Sequence, residues 1–156
     1  MPSKRMSARA AKDTIDFLRL GFSGHVDTLN FLVKVRQFDT FKEALTIPEI
    51  HRPGLVEEFQ QLWDDIGAVE LGRESSFVMY VHIPGTQQHR NGGDNAKAIK
   101  IPNEERSELT QRVLDAGKRA GADERTVQQS CVGHLGESWM VDHPGCHPTR
   151  VRLWWD

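Results

Sequence analysis

The chain has 156 residues, of which 38% are hydrophobic and 27% charged, the balance of a globular protein and too apolar for a wholly disordered one. Its 20 basic and 22 acidic residues leave a formal net charge of −2, so no overall field draws it toward polyanions or membranes, and any nucleic-acid site must be a local patch. The longest apolar stretch, Phe77 to Ile83, falls far short of the ~20 residues that cross a bilayer.

There is no internal repeat, low-complexity run or linker, and a chain of this length buries roughly 70% of its unfolded surface around one core. A single domain over 1–156 is the expectation, with 1–12 as a basic, flexible extension. That extension carries Lys4, Arg5, Arg9 and Lys12 with no acid before Asp13, one candidate contact for nucleic acid. No apolar core of a secretory signal follows, while the Arg, Ser and Ala content also suits an organellar leader. With two cysteines and no secretory signal, a reducing compartment is expected, cytoplasm or organellar matrix, where paired thiols serve more often as ligands than as a disulfide.

In chain order, Ala11, Ile15, Leu18 and Phe22 recur at helical spacing and predict a helix over about 7–20, closed by Gly21 and Gly24. Val26, Leu29, Leu32 and Val33 predict a second helix over about 25–36. A short helical turn starts at Asp39 or Thr40, with Glu43 placed to complete a capping box. Pro53 suits a first helical position, and Leu55, Val56, Phe59, Leu62, Trp63 and Ile66 line one face of a fourth helix that Gly67 ends. Phe77–Ile83 then reads as a buried strand, followed by the polar segment 85–95 and a short strand over 97–101. Asn103 caps a helix through Leu109, Val113 and Ala116 that stops near Gly117 or Gly121, and Asp123 caps another to about Val132. Thr149, Val151, Leu153 and Trp155 alternate with Arg150, Arg152 and Trp154, the period of a half-buried strand. The expected class is α+β, a helical N-terminal half packed with a small, mainly antiparallel sheet of about three strands.

Both cysteines and three of the seven histidines lie between Cys131 and His147. Cys131 and His134 form one short pair, His143 and Cys146 another, with His147 adjacent and a Pro144-Gly145 turn inside the second. Two short pairs joined by a loop suit a tetrahedral zinc site, and thiolate with imidazole favours zinc over magnesium or calcium. The competing reading makes Cys131 a small buried hydrophobe in helical register with Val127. Were one coordination position open, Glu137 would be the general base toward a zinc-bound water, in a hydrolase or nuclease.

His82, His89, Arg90 and Asp94 form a second constellation on and after the strand, with His82 as a candidate acid or base. The Gly92-Gly93 pair lacks the lysine and hydroxyl residue of a phosphate-binding loop. Glu57-Glu58 and Asp64-Asp65 fall on the polar face of the fourth helix and read as solvated surface. At the C-terminus, Trp154 and Trp155 adjoin on a strand and so point to opposite faces. Trp154 flanked by Arg150 and Arg152 would mark a docking surface for a protein partner, or for single-stranded nucleic acid. The leading expectation is a non-enzymatic interaction protein or subunit with a structural zinc; the alternatives are a metal-dependent hydrolase or nuclease on the same cluster, and a nucleic-acid-binding protein.

Overall fold

Side-chain periodicity accounts for most of the architecture in the computed structural model, which describes residues 8–23, 30–84, 103–130 and 147–156, with the side chains at 23, 103–106, 129–130 and 147–149 left aside. The elements are α1 (Ala8–Ser23), β1 (Asn30–Val35), α2 (Phe38–Ala44), α3 (Leu55–Gln60), β2 (Ala68–Glu74), β3 (Ser76–His82), α4 (Asn103–Arg119), β4 (Glu124–Ser130) and β5 (His147–Trp154). The strands form one antiparallel sheet in the order β1-β2-β3-β5-β4. The class is α+β, as the sequence predicts, but the sheet has five strands among the described residues instead of about three.

Three strands that the sequence does not predict, β1, β2 and β4, make the difference, while the strand predicted over 97–101 lies outside the described residues. Residues 30–35 are a strand and not part of a helix, because Phe31, Val33 and Val35 alternate with Leu32 and Lys34 and contain the β-branched residues that suit a pleated surface. Helical spacing and alternation compete over this segment, and pairing along its whole length with β2 decides for the strand. β2 itself has only Ala68, Val69 and Leu71 as apolar signal, interrupted by Glu70, Gly72 and Glu74. Gly72 is required there: a Cβ on it would stand 1.9 Å from the Phe31 carbonyl oxygen and 2.9 Å from the Leu32 Cα. The β2–β3 connection turns through Ser75, whose φ of 68° lies in the left-handed region.

The expected helix from Asp123 is also corrected to a strand, β4. Its stretch ERTVQQS has one apolar residue, too little for a buried helical stripe. Asp123 caps nothing; its N–H donates to the Trp154 carbonyl at 2.8 Å, and its carboxylate accepts from the Asp156 N–H at 2.7 Å. As an outer strand β4 is largely solvent-exposed, and the register shift at Gln128/Gln129 is a device that discourages edge-to-edge pairing.

The fourth predicted helix is shorter than its apolar face. Gly54 takes a left-handed conformation at φ 86° before Leu55, and after Gln60 the chain continues in i→i+3 turns, Leu62 N–H to Phe59 O at 3.1 Å and Asp65 N–H to Leu62 O at 2.9 Å. Leu55, Phe59, Leu62 and Ile66 are nonetheless all buried. α2 is capped by Gln37 without a side-chain hydrogen bond, so the capping box expected from Thr40 and Glu43 does not form. α4 ends as predicted: Gly121 has φ 88°, its N–H meets the Lys118 carbonyl at 3.0 Å and the Ala122 N–H meets that of Gly117 at 2.9 Å, a Schellman-type close.

The core lies between one face of the sheet and the helices. Val69, Leu71, Phe77, Met79, Val81, Val151, Leu153 and Trp155 meet Ile15 and Leu18 of α1, Phe41 of α2, Phe59 of α3, and Leu109, Val113 and Ala116 of α4. No described helix is long and apolar enough to cross a membrane.

Candidate functional site

Because strand side chains alternate, the face of the sheet opposite the helices is also determined by register. Across it runs one row of Lys34, Glu70, Tyr80, Arg152 and Thr126, and beside it a row of Ala68, His82, Arg150 and Gln128. Nearer the β2–β3 turn lie Leu32, Gly72, Val78, Trp154 and Glu124. Three of the residues predicted from sequence, Arg150, Arg152 and Trp154, therefore stand on one face together with His82.

They are joined through two carboxylates. Glu74 is the first hub: Tyr80 donates its hydroxyl to Oε2 at 2.7 Å, Arg152 donates Nε–H to Oε1 at 2.8 Å, and Trp154 donates its indole N–H to the Glu74 carbonyl at 2.8 Å. Arg152 also reaches Glu124 Oε1 at 3.1 Å. Glu70 is the second hub, with His82 Nε2 at 3.1 Å and Arg150 Nη1 at 3.5 Å from the same Oε1. Arg150 further donates to Gln128 and lies 4.1 Å over the Tyr80 ring, a cation–π contact. Tyr80 is only 5% exposed, so its ring is covered by the guanidinium and offers no open stacking platform.

Burial, aided by the Glu74 carboxylate, raises the Tyr80 hydroxyl pKa, so the phenol keeps its proton and remains a donor. Burial lowers the His82 pKa, against the opposing pull of Glu70. The folded state thus disfavours the imidazolium relative to the unfolded chain, which takes up its proton near pH 6.5. Below that pH the unfolded chain binds more protons, so the contribution is fully present above about pH 6.5 and is lost as pH falls through the lower folded value. Acidification from neutral pH is expected to lower the melting temperature, and His82→Gln to make that dependence shallower; equal slopes in wild type and variant would refute the assignment.

Among the described residues the formal charges on this face balance, three cations (Lys34, Arg150, Arg152) against three carboxylates (Glu70, Glu74, Glu124). Each carboxylate already accepts from a cation on the face. The result is a charge-paired polar surface, with no excess positive charge among its described residues to attract a phosphate backbone.

Of the other predicted residues, Cys131, His134, Glu137, His143 and Cys146 lie outside the described residues, as do Lys4, Arg5, His89, Arg90 and Asp94, while His147 is described only as the first residue of β5. Among the described residues no group of three His, Cys, Asp or Glu side chains could hold a metal ion. Lys12 pairs with Asp16 at 2.9 Å on α1. Glu58 and Asp65 pair with Arg119 and Arg112 of α4 at 2.8 and 3.3 Å, so these acids tie α4 to the α3 region besides facing solvent. Sequence reasoning passed over Glu70, Glu74 and Tyr80. The signal available for the acids was an acid at both ends of Glu70, Gly72 and Glu74, which becomes legible only once 68–74 is known to be a strand. The chain matches no family model, no curated protein and no solved structure.

Proposed function

We infer that this chain is a non-enzymatic interaction protein, a subunit of a larger assembly, that docks on a protein partner through the sheet face bearing Arg150, Arg152 and Trp154. The observation that supports this reading is the pair of glutamates, whose carboxylates hold two arginines and a tyrosine and of which Glu74 also accepts from Trp154 at its backbone carbonyl. Arg and Trp are enriched among the residues that carry interface energy, and side chains already ordered lose less entropy on binding. Zero net charge on the face favours a protein partner over nucleic acid.

The second part of the reading is a structural zinc held by Cys131, His134, His143 and Cys146, with His147 beside them. Its support is that Ser130 and His147 are cross-strand partners, so the segment carrying these ligands leaves and re-enters the sheet at adjoining positions. His82, oriented by Glu70, stands in the Arg150–Gln128 row near that same end, which favours as a second reading a metal-dependent hydrolase with Glu137 as base.

Light scattering of the chain in native extract, followed by elemental analysis and chelation of the isolated species, tests all of this. The expected result is a particle well above the 17.7 kDa of the chain, reduced to monomer by Arg152→Glu, with one zinc per chain whose removal unfolds the C-terminal part. A lone monomer in extract would overturn the interaction reading, a metal-free protein the zinc, and a zinc whose removal abolishes turnover yet leaves the fold intact would move the assignment to the hydrolase.

A further inference from the structure

On the helix-facing side of the sheet, register aligns Phe31, Arg73 and Phe77 across β1, β2 and β3. Arg73 thus continues the face that carries Val69 and Leu71, and a cation there is half-buried beside aromatic rings. The other half-buried arginines of the described residues all have acceptors: Arg52 donates to the carbonyls of Glu49 and His51, Arg150 to Gln128, and Arg152 to Glu74 and Glu124. Among the described residues the Arg73 side chain has no ion pair, hydrogen bond or ring contact. A partly desolvated guanidinium without an acceptor is unfavourable, and its forked donors match a carboxylate.

Arg73 lines a cleft of about 230 Å³ together with Phe22, Glu49, Ser75, Ser76 and Phe77. Phe22 forms its apolar wall, packed edge-on with centroids 6.3 Å from the buried Phe77, over which Arg52 lies at 5.2 Å. The volume is below the ~300 Å³ at which sites for drug-sized ligands begin, so the occupant is small. Arg52 is already engaged, leaving one cation to meet one negative charge, and the Glu49 carboxylate in the same lining disfavours a dianion such as a phosphate monoester.

The geometry points to a small-molecule site, on the opposite side of the sheet from the docking face, for a monocarboxylate joined to an aromatic body. The carboxylate is received by Arg73 with the Ser75 hydroxyl as a further donor, and the ring rests against Phe22.

Phenylacetate is the probe, titrated into the isotope-labelled full-length chain and followed by amide chemical shifts, with the neutral isostere phenylacetamide in parallel. Saturable millimolar binding is expected, centred on residues 73–77, at least about tenfold weaker for phenylacetamide and for Arg73→Gln. The phenylacetamide comparison uses the wild-type chain and so holds even where the variant folds poorly. Absence of saturable shifts at 73–77, or equal affinity for acid and amide, would overturn the proposal.

Discussion

Trp155→Ala is expected to destabilise the protein by about 4 kcal/mol, the range for removing a large aromatic side chain from a core, and so to lower the melting temperature by about 12 °C in a chain of this size. Three separate features of Trp155 combine in that figure. The residue is 3% exposed, its ring stacks on Phe77 with centroids 5.0 Å apart, and its indole N–H donates to the Ala120 carbonyl at 3.0 Å, just past the end of α4. The side chain therefore joins the last strand, the β3 ring and the close of α4. Trp155→Phe keeps the stacked ring but leaves the Ala120 carbonyl without its donor, and the expected loss is about 1–2 kcal/mol. Chemical denaturation of the two variants separates packing from hydrogen bonding; a loss below about 1 kcal/mol for Trp155→Ala would show that this contact does not hold the end of the sheet to α4.

Gly72→Ala is the second substitution with a large expected effect, about 3 kcal/mol, at the upper end for overpacking. The nearest atoms to the added methyl are the Phe31 carbonyl oxygen and carbon and the Leu32 Cα, at 1.9, 2.8 and 2.9 Å. All three are backbone, so no rotamer change relieves the clash and β1 must move away from β2. Gly67→Ala is the control, since its nearest neighbours are 3.6 Å away, and a change within about 0.5 kcal/mol is expected there. Because β1 carries Lys34 and Leu32 to the docking face, Gly72→Ala should also perturb amide signals along 30–35. Equal stability of the two variants would mean that β1 is not clamped at this point.

What could be read from the chain without coordinates follows a consistent rule. Segments with many apolar residues at one clear period were read correctly: α1, α4 with its Gly121 close, the run of β3, and the alternation of β5 that sends Trp155 into the core and Trp154, half-buried, to the opposite face. Segments with one to three apolar residues were not, nor was β1, whose Phe31, Leu32, Val33 and Val35 also fit a helical stripe. β2 shows only Ala68, Val69 and Leu71, and β4 only Val127, so local composition left helix, strand and turn nearly equal. Partner strands broke that balance by supplying ladder hydrogen bonds that no short window contains.

The docking face divides the same way. Arg150, Arg152 and Trp154 were visible as a cluster because they are neighbours on one strand, whereas Glu70, Glu74 and Tyr80, which organise them, come from 70 to 84 residues away in the chain. Residue types and local periodicity determined the α+β class, the core positions of the strongly periodic elements and the candidate cluster at the C-terminus. Only the tertiary structure decided the number of strands, the carboxylate hubs and the unpaired Arg73, because strand pairing is a contact between distant segments, and its register alone sets which charges meet and which are left without an acceptor.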